Sequence, residues 1–122
     1  MTSLEQLVPS LPLCRQLQAA GFPQDTAMVW IQDGANHARP VIIEPSVYAA
    51  YKSRILCAAP TAGEIDDWLM CNDCDNILVT NETADGENAV GVSCIHSDGR
   101  DFEAHEATEI EAKAALVLEV AK

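Results

Sequence analysis

Between Asn76 and Ala107 the chain alternates apolar and polar residues with period two, and Asp-Gly interrupts the pattern twice. In AVGVSCIH, residues 89–96, Val90, Val92, Cys94 and His96 fall on one side, and Ala89, Gly91, Ser93 and Ile95 on the other. Successive strand residues point to opposite faces, so this is a strand half-buried along Val90, Val92 and Cys94. DFEAHEA, residues 101–107, sets Phe102 and Ala104 against Glu103 and His105 in the same way, and NILVT, 76–80, supplies a third run. Asp85-Gly86 and Asp98-Gly99 are hairpin turn pairs. The spacing predicts an antiparallel three-strand meander.

The first half carries a second strand pair. AMVWIQD, 27–33, places Met28, Trp30 and Gln32 opposite Val29 and Ile31. GANHAR is a turn and PVIIE, 40–44, a returning strand whose Pro40 suits an edge. Residues 46–58, SVYAAYKSRILCA, fit two states: a helix capped by Ser46, or an extended end at RILCA. Pro60 holds Ala59 out of the helical region in both cases.

Helices announce themselves by their caps. Thr2/Glu5, Thr61/Glu64 and Thr108/Glu111 have capping-box spacing. Ser10 is an N-cap for a helix with Leu13, Cys14 and Leu17 on one side, closed by Gly21. Ile65, Trp68 and Leu69 make a short amphipathic helix, and the Asp66-Asp67 pair reads as its solvated face. The last helix packs through Ile110, Ala114, Val117 and Leu118. The expectation is one α+β domain over 1–122: a hairpin plus a three-strand meander, helices packed on the sheet, and a C-terminal helix.

A chain of 122 residues with 48 % apolar content can bury a core. No apolar run approaches the ~20 residues that span a bilayer, and the start lacks a basic region before an apolar block. The expected location is therefore the cytoplasm. Nineteen acids against seven Lys and Arg give a net charge of −12, which disfavours direct nucleic-acid binding and anionic membranes.

MCNDCD, residues 70–75, is the one stretch that looks like chemistry. A redox Cys-x-x-Cys sits after a strand at a helix N-terminus; here the helix comes before it, and Asp73 and Asp75 oppose a thiolate. A zinc site would pair Cys71 and Cys74 with Cys94 and His96, yet Cys94-x-His96 lacks knuckle spacing and lies on the core face. The remaining reading is a helix end with small semi-buried thiols. With five cysteines and no secretory signal, reduced thiols are expected throughout. Ile77 stands where a calcium loop needs an oxygen ligand.

His37 and His105 read as exposed, and His96 beside Cys94 has no third group to orient it as a catalytic pair. No catalytic or cofactor motif is present, so no catalytic residue and no cofactor is assigned.

Leu-Cys-x-x-Leu at 13–17, then Gly21-Phe22-Pro23-Gln24, Trp30, and Ala59-Pro60-Thr61-Ala62-Gly63-Glu64-Ile65-Asp66-Asp67-Trp68-Leu69 form a pattern. It resembles small uncharacterised phage and prophage proteins. The resemblance covers the first half well, the last helix loosely, and the middle not at all. It implies a phage or prophage origin and no activity. The chain departs from it at Val29, in place of an aromatic residue, and at Met70, where Pro is expected.

Each patterned residue also has a local structural job, and Gln24, Asp25 and the Asn36-His37 turn are left as surface-site candidates. The functional expectation is a non-enzymatic protein-interaction or accessory module, with a protein partner or a second copy of itself. Two alternatives stay open: a zinc-stabilised binding module on Cys71, Cys74, Cys94 and His96, and an acidic inhibitor of a basic nucleic-acid-binding host protein.

Overall fold

The computed structural model describes residues 4–84 and 87–122. The elements run α1 (Leu11–Ala19), β1 (Met28–Gln32), β2 (Ala38–Ile42), α2 (Pro45–Tyr51), β3 (Ile55–Ala58), α3 (Ala62–Cys71), β4 (Cys74–Ala84), β5 (Glu87–His96), β6 (Asp101–Glu106) and α4 (Glu109–Ala121). Single 3-10 turns stand at Leu4–Gln6 and Lys52–Arg54. This is an α+β fold with two antiparallel sheets, ordered β2-β1-β3 and β4-β5-β6. Thr2 of the first capping pair and the Asp85-Gly86 turn lie outside the described residues.

The ambiguous segment adopts both of its states in turn. Its front half is α2, and its back half is β3, which pairs with β1 from Val29↔Ala58 to Ile31↔Ile55. The hairpin thereby becomes a three-stranded sheet. Ser46 is not the cap of α2: the N-cap is Glu44, and Pro45 takes the first helical position, where its fixed φ and missing N–H cost nothing.

Strand β1 is buried on both faces, as its unbroken apolar run requires. Met28 and Trp30 pack with Val8, Cys14, Cys57 and Ala59. Val29 and Ile31 pack with Val41 and, behind it, Ile43, Tyr51 and Ile55. Among the described residues, the second sheet is covered on one face only. Val92, Cys94 and Ala104 meet Leu17, Ile65, Leu69, Leu116 and Val117 in the largest core cluster. Helix α1 serves both cores, with Cys14 turned to the first sheet and Leu17 to the second.

Two caps differ from expectation because one carboxylate is diverted. Thr61 and Glu64 make the full capping box of α3. At α4, Thr108 Oγ1 accepts the Glu111 N–H, but Glu111 does not return the bond. Its carboxylate instead accepts the Ser10 backbone N–H at 2.8 Å. Ser10 occupies the N-cap of α1 without capping it through its hydroxyl.

The Asp66-Asp67 face is not simply solvated. Asp66 Oδ2 lies 2.9 Å from the Lys113 ammonium of α4, and Lys113 is itself buried. The α4 packing face is correspondingly wider than Ile110, Ala114, Val117 and Leu118; Ala112, Lys113 and Leu116 are also buried. A long side chain can lay its methylene stem on α3 while its charge finds a partner, which hydropathy counting does not register.

Candidate functional site

The MCNDCD stretch is a helix stop followed by a strand start. Cys71 is the last residue of α3 and exposed, and Asn72 caps the helix. Asp73 takes φ 65°, a left-handed conformation that Asp tolerates better than most residues, and reverses the chain. The Asp73 carbonyl accepts the Ser97 N–H at 2.9 Å, tying the turn to the β5–β6 connection. Cys74 then enters the core.

Of the four zinc candidates, the fold brings Cys74, Cys94 and His96 to neighbouring strand positions and leaves Cys71 outside. Cys74 pairs with His96 across β4 and β5, and both Cys74 and Cys94 are buried. The His96 ring turns away to the next turn, where Nδ1 accepts the Asp98 N–H at 3.1 Å. Asp98 itself is held below the usual carboxylate range by the backbone N–H and guanidinium of Arg100. Among the described residues no group of three or more His, Cys, Asp or Glu is placed to hold a metal ion. Burial, reinforced by neighbouring Cys74, pushes the Cys94 thiol up to about 12, which disfavours the thiolate needed for nucleophilic attack.

The surface-site candidates separate. Gln24 is structural: its amide donates to the Phe22 carbonyl and accepts the Ala58 N–H, both at 2.9 Å, which seals the end of β3. Asn36 and His37 stay exposed in the β1–β2 turn. Asp25 joins a hollow of ≈ 280 Å³ whose walls include Phe22, Pro23, Glu64, Asp67, Trp68 and Cys71. The Gly-Phe-Pro-Gln and Glu-x-x-x-Trp segments, about forty positions apart in the sequence, thus meet: the Phe22 and Trp68 ring centroids are 5.9 Å apart.

A larger hollow of ≈ 600 Å³ lies between α1 and α4. Leu13, Ala19, Ala20, Ala115, Leu118 and Ala121 form much of its wall, and its Lys122 is already paired with Glu119 at 3.0 Å. Gln16, Glu106 and Glu119 supply the rest of its wall.

Among the described residues, none covers the outer face of the second sheet. Leu78 is 62 % and Ile95 42 % exposed, and both line one shallow hollow with Ser93, Asp101 and Glu103. Further along the same face Gly91 lies between Thr80 and His105, and the His105 ring meets Glu82 at 3.0 Å. A Cβ at Gly91 would meet Thr80 Oγ1, His105 Nδ1 and Glu82 Oε1 at 2.9–3.1 Å, so glycine keeps this part of the face flat. Val79, on the other side of β4 opposite buried Val92, is 41 % exposed.

Charge is segregated along the chain. The first 61 residues carry Glu5, Asp25, Asp33 and Glu44 against Arg15, Arg39, Lys52 and Arg54. The whole net charge of −12 therefore belongs to residues 62–122, which include the second sheet. Among the described residues no helix is long and apolar enough to cross a membrane. No family model, curated protein or solved structure matches this chain.

The sequence reading named Asp25 but not the hollow it lines, and it did not find the outer face. The outer face could have been found from Leu78 and Ile95, which stand out of phase with the buried set. The hollow had no local signal, because its two halves meet only in the fold.

Proposed function

We propose that this chain is a non-enzymatic protein-interaction module, of the phage or prophage kind its first half resembles, acting in the cytoplasm on a basic protein partner. The observation that carries the reading is the outer face of β4-β5-β6. Leu78 and Ile95 are exposed side by side, with Asp101 and Glu103 in the same hollow, on a sheet whose other face is packed. Adjacent exposed apolar groups rimmed by polar ones favour a binding surface. The flanking carboxylates favour a partner with Lys or Arg around an apolar centre. The same charge makes a second copy of this chain a poor occupant, because two chains of −12 repel.

Selection of a random peptide library on the folded protein tests this. Leu78→Thr with Ile95→Thr removes the apolar centre and keeps β-favourable residues at exposed positions. Enriched peptides should combine basic and apolar residues and lose binding to the double variant. Peptides that bind both proteins equally, or no enrichment at all, would overturn the reading.

The narrower alternative, an acidic inhibitor occupying a basic nucleic-acid-binding protein, draws support from the confinement of the net charge to residues 62–122. It expects binding that fades as salt rises and that is mutually exclusive with the partner's nucleic acid. Simultaneous binding of both would remove it.

A further inference from the structure

The hollow between α3 and the chain leading into β1 has an aromatic wall and unpaired carboxylates. Phe22 is buried, Trp68 is half-buried, and their rings are 5.9 Å apart at an interplanar angle of 33°. Asp25 and Asp67, both exposed, line the same space, and no Lys or Arg does. Among the described residues neither carboxylate has a hydrogen-bond or ion-pair partner.

Glu64 differs from them. Its Oε1 accepts the Thr61 N–H at 2.9 Å and its Oε2 accepts the Ala27 N–H at 3.1 Å. It staples the start of α3 to the strand entry, and its charge remains at the rim. The hollow is therefore built by a structural carboxylate and an aromatic pair, and two further acids have no internal task.

We infer that this hollow receives a single arginine side chain of a partner protein. Aromatic rings attract cations, weakly where solvent reaches them and more strongly where it does not. Guanidinium is planar and weakly hydrated, so it stacks on a ring while its N–H groups reach carboxylates on either side; an ammonium loses more hydration for a less directional contact. The volume, ≈ 280 Å³, lies just below the roughly 300–1,000 Å³ range of small-molecule pockets. It suits one side chain rather than a larger ligand. The site shares no residue with the outer face of the second sheet, so either assignment can fail alone.

The test uses the full ¹⁵N-labelled chain and a blocked Gly-Arg-Gly tripeptide, followed at the Trp68 indole N–H. Trp30 is an internal control, because its Nε1 already donates to the Pro9 carbonyl in the core. The expected result is a saturable shift at Trp68 and not at Trp30. The Gly-citrulline-Gly analogue, equal in shape and uncharged, should give none at the same concentration. Asp25→Asn with Asp67→Asn should weaken binding about three- to tenfold while the spectrum stays folded, because both positions are exposed.

Equal shifts from arginine and citrulline, or unchanged affinity in the double variant, would overturn the assignment. Tighter binding of free arginine than of the blocked tripeptide would overturn it too, by making the occupant a metabolite. A dimer that dissociates in the double variant would do so by making the occupant this chain's own arginine.

Discussion

The Ser10 backbone N–H donates to Glu111 Oε1 at 2.8 Å, across 101 residues of sequence. A residue spaced to finish the cap of its own helix instead satisfies the start of α1. Helix N-termini leave N–H groups without intrahelical partners, and a carboxylate there also meets the positive end of the helix dipole. One side chain thus orients the first long helix against the last.

Replacing Glu111 should therefore act at both ends of the chain. Glu111→Ala is expected to cost about 0.5–2 kcal/mol, the range for loss of a cap. Glu111→Gln keeps an accepting oxygen and should cost less. Urea unfolding followed by circular dichroism gives both values, and hydrogen exchange should show the loss at the N-terminus of α1 as well as at α4. A loss confined to α4 would contradict the coupling.

Lys113 and Asp66 make the second long-range tie. The Lys113 side chain is only 7 % exposed, with Asp66 Oδ2 at 2.9 Å and Glu109 Oε2 at 3.5 Å. Asp66 Oδ1 is buried without a partner, so this pair is incompletely satisfied. Removing one member of a buried pair commonly costs about 3–5 kcal/mol, whereas an apolar replacement of both can be neutral or better. Because Asp66 is partly exposed, Lys113→Ala should fall at or below the low end of that range. Lys113→Met with Asp66→Leu should recover most of the loss. A double variant no more stable than Lys113→Ala would show that packing alone determines the site.

Much of the architecture was legible in particular residues. Val90, Val92 and Cys94 face the core and Glu103 and His105 face out, as alternation requires. Met28 and Trp30 divide from Val29 and Ile31 as their phase implies. The sequence left β3 open between helix and strand, because RILCA is too short for its period to separate the two. It did not disclose Lys113, because a buried lysine is recognisable only once Asp66 stands opposite. The Phe22–Trp68 hollow was hidden for a related reason: each residue has a structural role that explains it locally, and only the tertiary contact joins them.

Strand β4 contains a bulge whose consequence is specific. Asp75 pairs with Ile95, and the next registered pair is Leu78 with Ser93, so β4 carries one residue more than β5 across this interval. Asn76 takes φ 53° within it. The extra residue lets Cys74 and Ile77 both belong to the largest core cluster, although their spacing is odd, and sends Leu78 to the outer face. Asn76→Gly should be neutral or slightly stabilising, since glycine adopts this conformation freely. Asn76→Val should lose about 1–2 kcal/mol, because a branched side chain resists left-handed backbone. Thermal melting of the two variants checks the order, and equal effects would argue against bulge strain.

The thiols should divide by burial. Cys71 is exposed, whereas Cys14, Cys57, Cys74 and Cys94 are buried. Burial is the main cause that pushes Cys14 and Cys94 up to about 12, and it raises Cys57 as well. At pH 8 one thiol per folded chain should react rapidly with a disulfide reagent such as dithionitrobenzoate. The other four should react only as the chain opens. The pH dependence follows from linkage. A thiol raised in the folded state keeps its proton while the unfolded thiol, near 9, has lost its own. Between about pH 9 and 12 the unfolded state binds fewer protons, so stability falls with rising pH, and below the unfolded value these groups contribute no pH dependence. Cys14→Ala with Cys94→Ala should flatten that alkaline limb while lowering stability at neutral pH through the cavities left behind. Unfolding free energies measured from pH 7 to 11 would show it, and an alkaline limb unchanged in the double variant would assign the loss to other groups.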